Sequence, residues 1–205
     1  MAHIDYYFYG ASPFTYLGHK ALEELAERHG CGIAYKPVNL MGLWDVSGGL
    51  PPAKRPPVRQ RYRLIELQRA AAFRGLPINL KPRHFPVDAT LADQAVIALL
   101  NDKRDPSGYM FEVFSAVWAR DENISDPAVI ERLLDESGFD GAMVLEAAQS
   151  QSVAAIRAKN TEDAIAADAV GVPAYVLNGE VFWGQDRLEW LDHALTSGRA
   201  PFRPE

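Results

Sequence analysis

Three short stretches hold groups suited to binding a small charged peptide: Gly10-Ala11-Ser12-Pro13, Gly171-Val172-Pro173 and Gly184-Gln185-Asp186. Ser12 precedes a proline and a helical pattern, so it stands where a helix begins. A helix N-terminus offers unpaired N–H groups and a partial positive charge, which favour an anion. A hydroxyl at that point can donate to a thiolate or an oxyanion, or it can simply cap its own helix. Val172-Pro173 stands ahead of a strand pattern. An X–Pro bond is cis in only about 5–6% of folded-protein cases, and a strand-initiating proline is the ordinary reading. A cis bond there would expose the Val172 backbone to pairing with an extended peptide, as an added strand. Asp186 opens the last helical pattern, as an N-cap worth about 1 kcal/mol or as a carboxylate for an ammonium group. Brought together, the three positions make a concave site for a small zwitterionic peptide.

A fourth cluster is basic: Lys54, Arg55, Arg59, Arg61 and Arg63. Charge runs of this kind are commonly solvated helix faces, and Arg61 and Arg63 suit that role. The formal net charge of the chain is −6, which argues against a nucleic-acid partner. Cys31 is the only cysteine, so an intrachain disulfide and a Cys-X-X-Cys pair are both excluded. One cysteine also argues against structural zinc, and Cys31 reads as a structural residue between two glycines. His3, His19, His29, His84 and His193 show no metal-ligand spacing, so no metal is expected. Trp44, Tyr109, Phe111, Phe114 and Trp118 read as core or interface, with one or two available to line an aromatic pocket.

The 205 residues are 48% hydrophobic and 23% charged, an ordinary balance for a globular protein. A chain of this length buries roughly 70% of its unfolded surface. No apolar run approaches the ~20 residues of a membrane-spanning helix. The opening Met1-Ala2-His3-Ile4-Asp5 has neither a positive region nor an apolar run of signal-peptide kind. The expectation is a cytoplasmic protein with no membrane partner, in a compartment where thiols stay reduced.

The elements that must position these groups follow from the pattern. Ile4 to Tyr9 reads as a buried strand, and Phe14 onward as a helix with Leu17, Ala21, Leu22 and Leu25 on one face. Ile33 to Val38 reads as a second strand. Gly42 to Pro57 holds six glycine and proline positions past Gly42 and reads as an irregular loop. Helical patterns cover Val58–Phe73, Leu91–Leu100, Tyr109–Ala119, Pro127–Leu134, Gly141–Gln149 and Val153–Lys159. Asn160 or Thr161 then caps a short helix through Asp168. Ala174 to Leu177 and Glu180 to Trp183 are strands around the hairpin signal Asn178-Gly179, and a last helix carries Leu188, Leu191 and Leu195. This order is α/β: a thioredoxin-like fold, residues 1–39 and 160–205, with a large all-helical insertion over residues 40–159.

The run Tyr7-Phe8-Tyr9-Gly10-Ala11-Ser12-Pro13-Phe14-Thr15-Tyr16-Leu17 resembles the start of bacterial 2-hydroxychromene-2-carboxylate isomerases. The stretch from Gly171 through Glu180, with Phe182-Trp183-Gly184-Gln185-Asp186-Arg187-Leu188, is similar to their C-terminal signature. Kappa-class glutathione transferases are close relatives, and both belong to the DsbA-like branch of the thioredoxin superfamily. The resemblance implies a glutathione site in which Ser12 holds the sulfur and the Val172 backbone, beside a cis Pro173, pairs with the cysteinyl segment. Asp186 and Gln185 take the γ-glutamyl end, and Arg59 or Lys54 takes the glycyl carboxylate. Relatives often place an asparagine in the proline-rich loop, where this chain has Gly49 and Leu50. A homodimer is expected on the same ground.

The implied thiolate is reachable in energy. Lowering a thiol pKa from about 8.5 by two units needs about 2.7 kcal/mol of preference for the anion. A hydrogen bond to a charged group contributes roughly 1.5–3 kcal/mol and a helix terminus about 0.3–1. Ser12 and its helix suffice. A serine forms no mixed disulfide, so dithiol exchange is not expected. The resemblance therefore implies isomerisation of 2-hydroxychromene-2-carboxylate or a similar aromatic oxo acid by reversible thiolate addition. Two alternatives share the sequence: a kappa-like glutathione transferase or peroxidase, and a non-catalytic thioredoxin-like binding module.

Overall fold

The computed structural model describes residues 2–204; Met1 and Glu205, the outer ends of the expected thioredoxin-like segments, lie outside the described residues. Strand β1 (His3–Phe8), helix α1 (Pro13–His29) and strand β2 (Gly32–Pro37) open the chain. Helices α2 (Leu40–Ser47), α3 (Pro57–Arg74), α4 (Thr90–Asn101) and α5 (Ser107–Trp118) follow. Then come α6 (Pro127–Glu136), α7 (Gly141–Ala148) and α8 (Gln151–Ala166). The hairpin of β3 (Ala174–Leu177) and β4 (Glu180–Trp183) and the helix α9 (Leu188–Ser197) complete the fold. The sheet order is β2-β1-β3-β4, with β1 parallel to β2 and antiparallel to β3, and β3 antiparallel to β4. This is the thioredoxin arrangement, with helices α2 to α8 between β2 and β3.

Alternation along β1 sets the layers. Ile4, Tyr6 and Phe8 join Tyr175, Leu177 and Phe182 in one core with Leu17, Leu22 and Leu25 of α1 and Leu188 and Leu191 of α9. The same core continues without a break into α4, α5 and α6 through Val96, Leu99, Phe114, Val117 and Leu133. Tyr7 points to the opposite face and packs with Val38, Leu43, Ala164, Ala174 and Val176, under α2 and α8. At the β3–β4 turn, Asn178 (φ 53°) and Gly179 (φ 79°) both take the left-handed conformation that a two-residue hairpin turn requires.

Two stretches depart from the sequence reading. Residues 42–47 are not loop: they belong to α2, because the Asn39 side chain accepts the Met41 and Gly42 N–H groups at 3.2 and 3.4 Å and starts a helix there. Asn160 and Thr161 cap nothing, since α8 runs through both as one helix. Their side chains instead tie α8 to the end of β2: Asn160 donates to the Pro37 carbonyl at 3.3 Å, and Thr161 Oγ1 accepts the Asn39 N–H at 2.9 Å.

Candidate functional site

Ser12 is the N-cap of α1 and Pro13 its first residue. The Ser12 hydroxyl oxygen accepts the Thr15 N–H at 3.2 Å, and its carbonyl accepts the Tyr16 N–H at 3.1 Å. A hydroxyl has two acceptor sites and one proton, so the cap leaves that proton free to donate. Pro13 lacks an N–H, and the Phe14 N–H has no acceptor among the described residues. The capping role and the anion-binding role that the sequence left as alternatives are therefore compatible. Ser12 is buried, 6% exposed, so water weakens its hydrogen bonds little.

Sheet register brings the other two motifs to the same end. Tyr7 pairs with Ala174, which carries Val172 alongside Tyr9, and both pack in the smaller core. The Val172–Pro173 peptide is cis. Among the described residues the Val172 N–H and C=O make no hydrogen bond, so an edge of extended backbone is open there. Gly184 N–H donates to the Pro173 carbonyl at 2.9 Å, which sets Gln185 and Asp186 directly after it. These two lie in a 3-10 turn (Gln185–Arg187) ahead of α9, whose own N-cap is Arg187, so Asp186 does not cap that helix as expected. Asp186 is exposed and pairs with Arg187 at 2.7 Å. Gln185 is pinned by Arg74 from the end of α3, whose Nε and Nη2 donate to its Oε1 and carbonyl at 3.2 and 2.9 Å.

The basic residues lie to one side. Ser47 Oγ donates to the Val170 carbonyl at 3.0 Å, which fastens the end of α2 next to Val172 and leads the chain into the segment carrying Lys54 and Arg59. Both side chains are exposed, and neither hydrogen-bonds to Ser12, Val172 or Asp186. Arg55 is turned inward, donating to the Leu50 carbonyl at 2.7 Å and stacking 5.6 Å from the Trp44 ring centroid.

The sequence reading passed over Asp93, which supports the Ser12 loop from below. Its Oδ1 accepts the Gly10 N–H at 2.9 Å and its Oδ2 meets Arg157 Nη2 at 3.0 Å. The same Nη2 donates to the Val38 carbonyl at 3.1 Å, so one buried pair joins α4, α8 and the ends of β1 and β2. Burial pushes the Asp93 carboxyl up to about 7, outweighing Arg157 and the Gly10 N–H, which both pull it down. A charge inside the apolar helical pattern Leu91–Leu100 is the available signal. Gly10 has no room for a side chain: a Cβ there would lie 2.8 Å from Asp93 Oδ1.

The DsbA-like thioredoxin domain family matches residues 3–196. A 2-hydroxychromene-2-carboxylate isomerase of Pseudomonas sp. (strain C18) is 30% identical over 209 residues, covering 98% of this chain and 93% of that protein. The chain belongs to the DsbA-like thioredoxin family, in its 2-hydroxychromene-2-carboxylate isomerase branch. A solved structure of a 2-hydroxychromene-2-carboxylate isomerase superposes with a TM-score of 0.80 at 25% identity, covering 95% of each chain. Glutathione S-transferase kappa 1 of Homo sapiens is 24% identical over 94% of this chain and 90% of that protein. This DsbA-like chain carries no sulfur at its Ser12 site. Its one cysteine, Cys31, lies past the far end of α1, where burial pushes the thiol up.

Proposed function

We propose that the protein is a glutathione-dependent isomerase of 2-hydroxychromene-2-carboxylate or a similar aromatic oxo acid. The observation that supports this reading is a Ser12 proton left free by the cap at the start of α1, at the same end of the sheet as a Val172 backbone that is unpaired among the described residues. A thiolate peptide fits that donor set: one hydroxyl and one free N–H for the sulfur, one open strand edge for the peptide. Ser12 would hold the sulfur as the catalytic residue, and Val172, beside Pro173, would pair with the cysteinyl backbone. Asp186 would take the γ-glutamyl ammonium, with the Gln185 amide beside it; Arg59 or Lys54 would take the glycyl carboxylate. When bound, glutathione supplies a thiolate that adds reversibly to a conjugated side chain, so that a double bond becomes a rotatable single bond. Ser12 lowers the thiol pKa and holds the sulfur where the substrate arrives. Asp93 keeps the Ser12 loop in place through Gly10.

The test is the ultraviolet spectral change of 2-hydroxychromene-2-carboxylate with protein, with and without glutathione, for wild type and Ser12→Ala. The reading predicts fast conversion that requires glutathione and falls about 100-fold in the variant. Conversion that is equally fast without glutathione, or absent although glutathione binds, sinks it. The similarity to a kappa glutathione transferase favours a second reading, conjugation. It predicts net consumption of glutathione, whereas isomerisation returns it.

A further inference from the structure

We propose that Arg63, set over the rings of Phe85 and Trp118, is a second anion site that receives the carboxylate of a planar aryl acid. Its part in turnover rests on the isomerase reading; its existence as a binding site does not. The Arg63 guanidinium carbon lies 5.8 Å from the Phe85 ring centroid and 5.9 Å from that of Trp118, and the two rings are 4.9 Å apart. Such cation–π contact helps to position an arginine without neutralising it.

What sets Arg63 apart is the absence of an acceptor. Among the half-buried arginines of the described residues, Arg55 donates to the Leu50 carbonyl, Arg74 to Gln185 and Arg157 to Asp93. Arg187 donates to Asp186 and Arg199 to Glu180. Arg63 alone has no hydrogen bond and no carboxylate partner among those residues, and the charge that acts on it is another cation, Arg55. Burial among the rings holds its pKa down at about 10, which marks the desolvation of an unpaired charge. Partly buried donors without acceptors are costly and uncommon in native proteins. An aryl carboxylate answers the unpaired guanidinium with a planar anion for its fork and offers an aromatic body to the exposed part of Phe85.

The position suits the Ser12 site. Tyr9 Oη donates to the Val87 carbonyl at 3.0 Å, two residues past Phe85, and Gly10 packs against Ala89. Tyr16 Oη donates to the Pro77 carbonyl at 2.9 Å. The segment 77–89 is thus tied at both ends to residues that flank Ser12, with Phe85 and its cation between the ties. Arg59 stands one turn earlier on α3 but is exposed, so the same helix offers a solvated cation for a flexible peptide and a desolvated one for an aryl acid.

The experiment is calorimetric binding of trans-cinnamate and of its neutral amide, in the presence of S-methylglutathione, to wild type, Arg63→Lys and Arg63→Gln. The expected result is that wild type prefers the acid by about ten-fold or more, and that Arg63→Gln abolishes the preference. Arg63→Lys should retain part of it, and glutathione affinity should be unchanged in both variants. With the oxo acid substrate, Arg63→Gln should raise KM far more than it lowers kcat. Equal binding of acid and amide by the wild type overturns the proposal without recourse to a variant. So does an Arg63→Gln protein that keeps the preference and loses only thermal stability, the result of a purely structural stack. Arg63-dependent acid binding by a protein that isomerises nothing leaves this inference standing and removes the isomerase reading.

Discussion

The carboxylate of Asp93 and the amide of Gly10 are 2.9 Å apart, although 83 positions separate them in sequence. The contact fixes the backbone two residues before Ser12 and is closed on its other side by Arg157 at 3.0 Å. Asp93 is 1% exposed, so removing it strands a charge on Arg157. Breaking a buried pair in this way typically costs about 3–5 kcal/mol. Asp93→Ala is expected to lower unfolding free energy by that amount in urea titrations. Asp93→Asn, which can still accept from Gly10, is expected to lose less. An Asp93→Ala protein as stable as wild type would show that the pair contributes nothing.

The same carboxyl and His19 predict opposing pH dependences of stability. The Asp93 pKa is pushed up to about 7 in the fold, against about 3.9 for an unfolded aspartate. The folded state therefore binds more protons between those values, and this contribution to stability is lost as pH rises from about 4 to about 7. His19 is fully buried, with Nε2 3.1 Å from the Ser107 carbonyl and 3.4 Å from Glu23, and burial holds its pKa down at about 4. Its unfolded value is about 6.5, so its contribution is lost as pH falls from about 6.5 to about 4. In wild type the two slopes, each at most about 1.4 kcal/mol per pH unit, oppose one another over that range. Urea midpoints of Asp93→Asn are expected to rise with pH from 4 to 6.5, and those of His19→Gln to fall. Parallel profiles for the two variants would refute the assignment.

How much was legible in the sequence follows from where each signal resides. Ser12-Pro13 and Asn178-Gly179 are local devices: a cap with a fixed φ, and a turn that only left-handed residues can make. Both are legible in the sequence, as are the strands of the hairpin, while β1 begins and ends one residue earlier than the pattern Ile4 to Tyr9. Asn39 capping α2 is equally local and was missed, because the glycines and prolines that follow it drew the reading toward loop. Thr161 and Asn160 carry helix-start chemistry but spend it on β2, a tertiary use that no window of sequence shows. Asp93 and Arg157 lie 64 positions apart, on helices that each read as ordinary, and only the fold makes them a pair. Gln185 appeared as a ligand for glutathione and has in addition a partner of its own in Arg74.

Gly18 lies in the interior of α1, where alanine ordinarily stabilises a helix by about 1 kcal/mol. Here a Cβ would lie 2.8 Å from Gln185 Cβ, 2.9 Å from Tyr175 Oη and 3.4 Å from Gln185 Cα. The turn bearing Gln185 and Asp186 must shift to admit it, at about 1–3 kcal/mol for overpacking. Gly18→Ala is therefore expected to destabilise the fold and to weaken glutathione binding several-fold in calorimetry. Gly108→Ala on α5, where a Cβ meets nothing within 4 Å, is the control and should leave both unchanged or raise stability slightly. Unaltered glutathione affinity in Gly18→Ala would detach the Gln185–Asp186 turn from the site.

The electrostatics attributed to the start of α1 can be read directly with a sulfur in place of the hydroxyl. Ser12→Cys, in a Cys31→Ser background, puts one thiol at a helix N-terminus where Phe14 N–H lacks an acceptor among the described residues. Its pKa is expected at least about 1 unit below the ordinary 8.5, by thiolate absorbance in a pH titration. Given glutathione disulfide, that thiolate attacks one sulfur, a new S–S bond forms, the old one breaks, and glutathione thiolate leaves. Mass spectrometry should then show one added glutathionyl group, removed by reductant. The same variant should lose the isomerisation, since its sulfur occupies the place where Ser12 would donate to the glutathione thiolate. A thiol pKa at or above 8.5, with no mixed disulfide, would mean that the first turn of α1 does not stabilise an anion, and Ser12 would lose the role proposed for it.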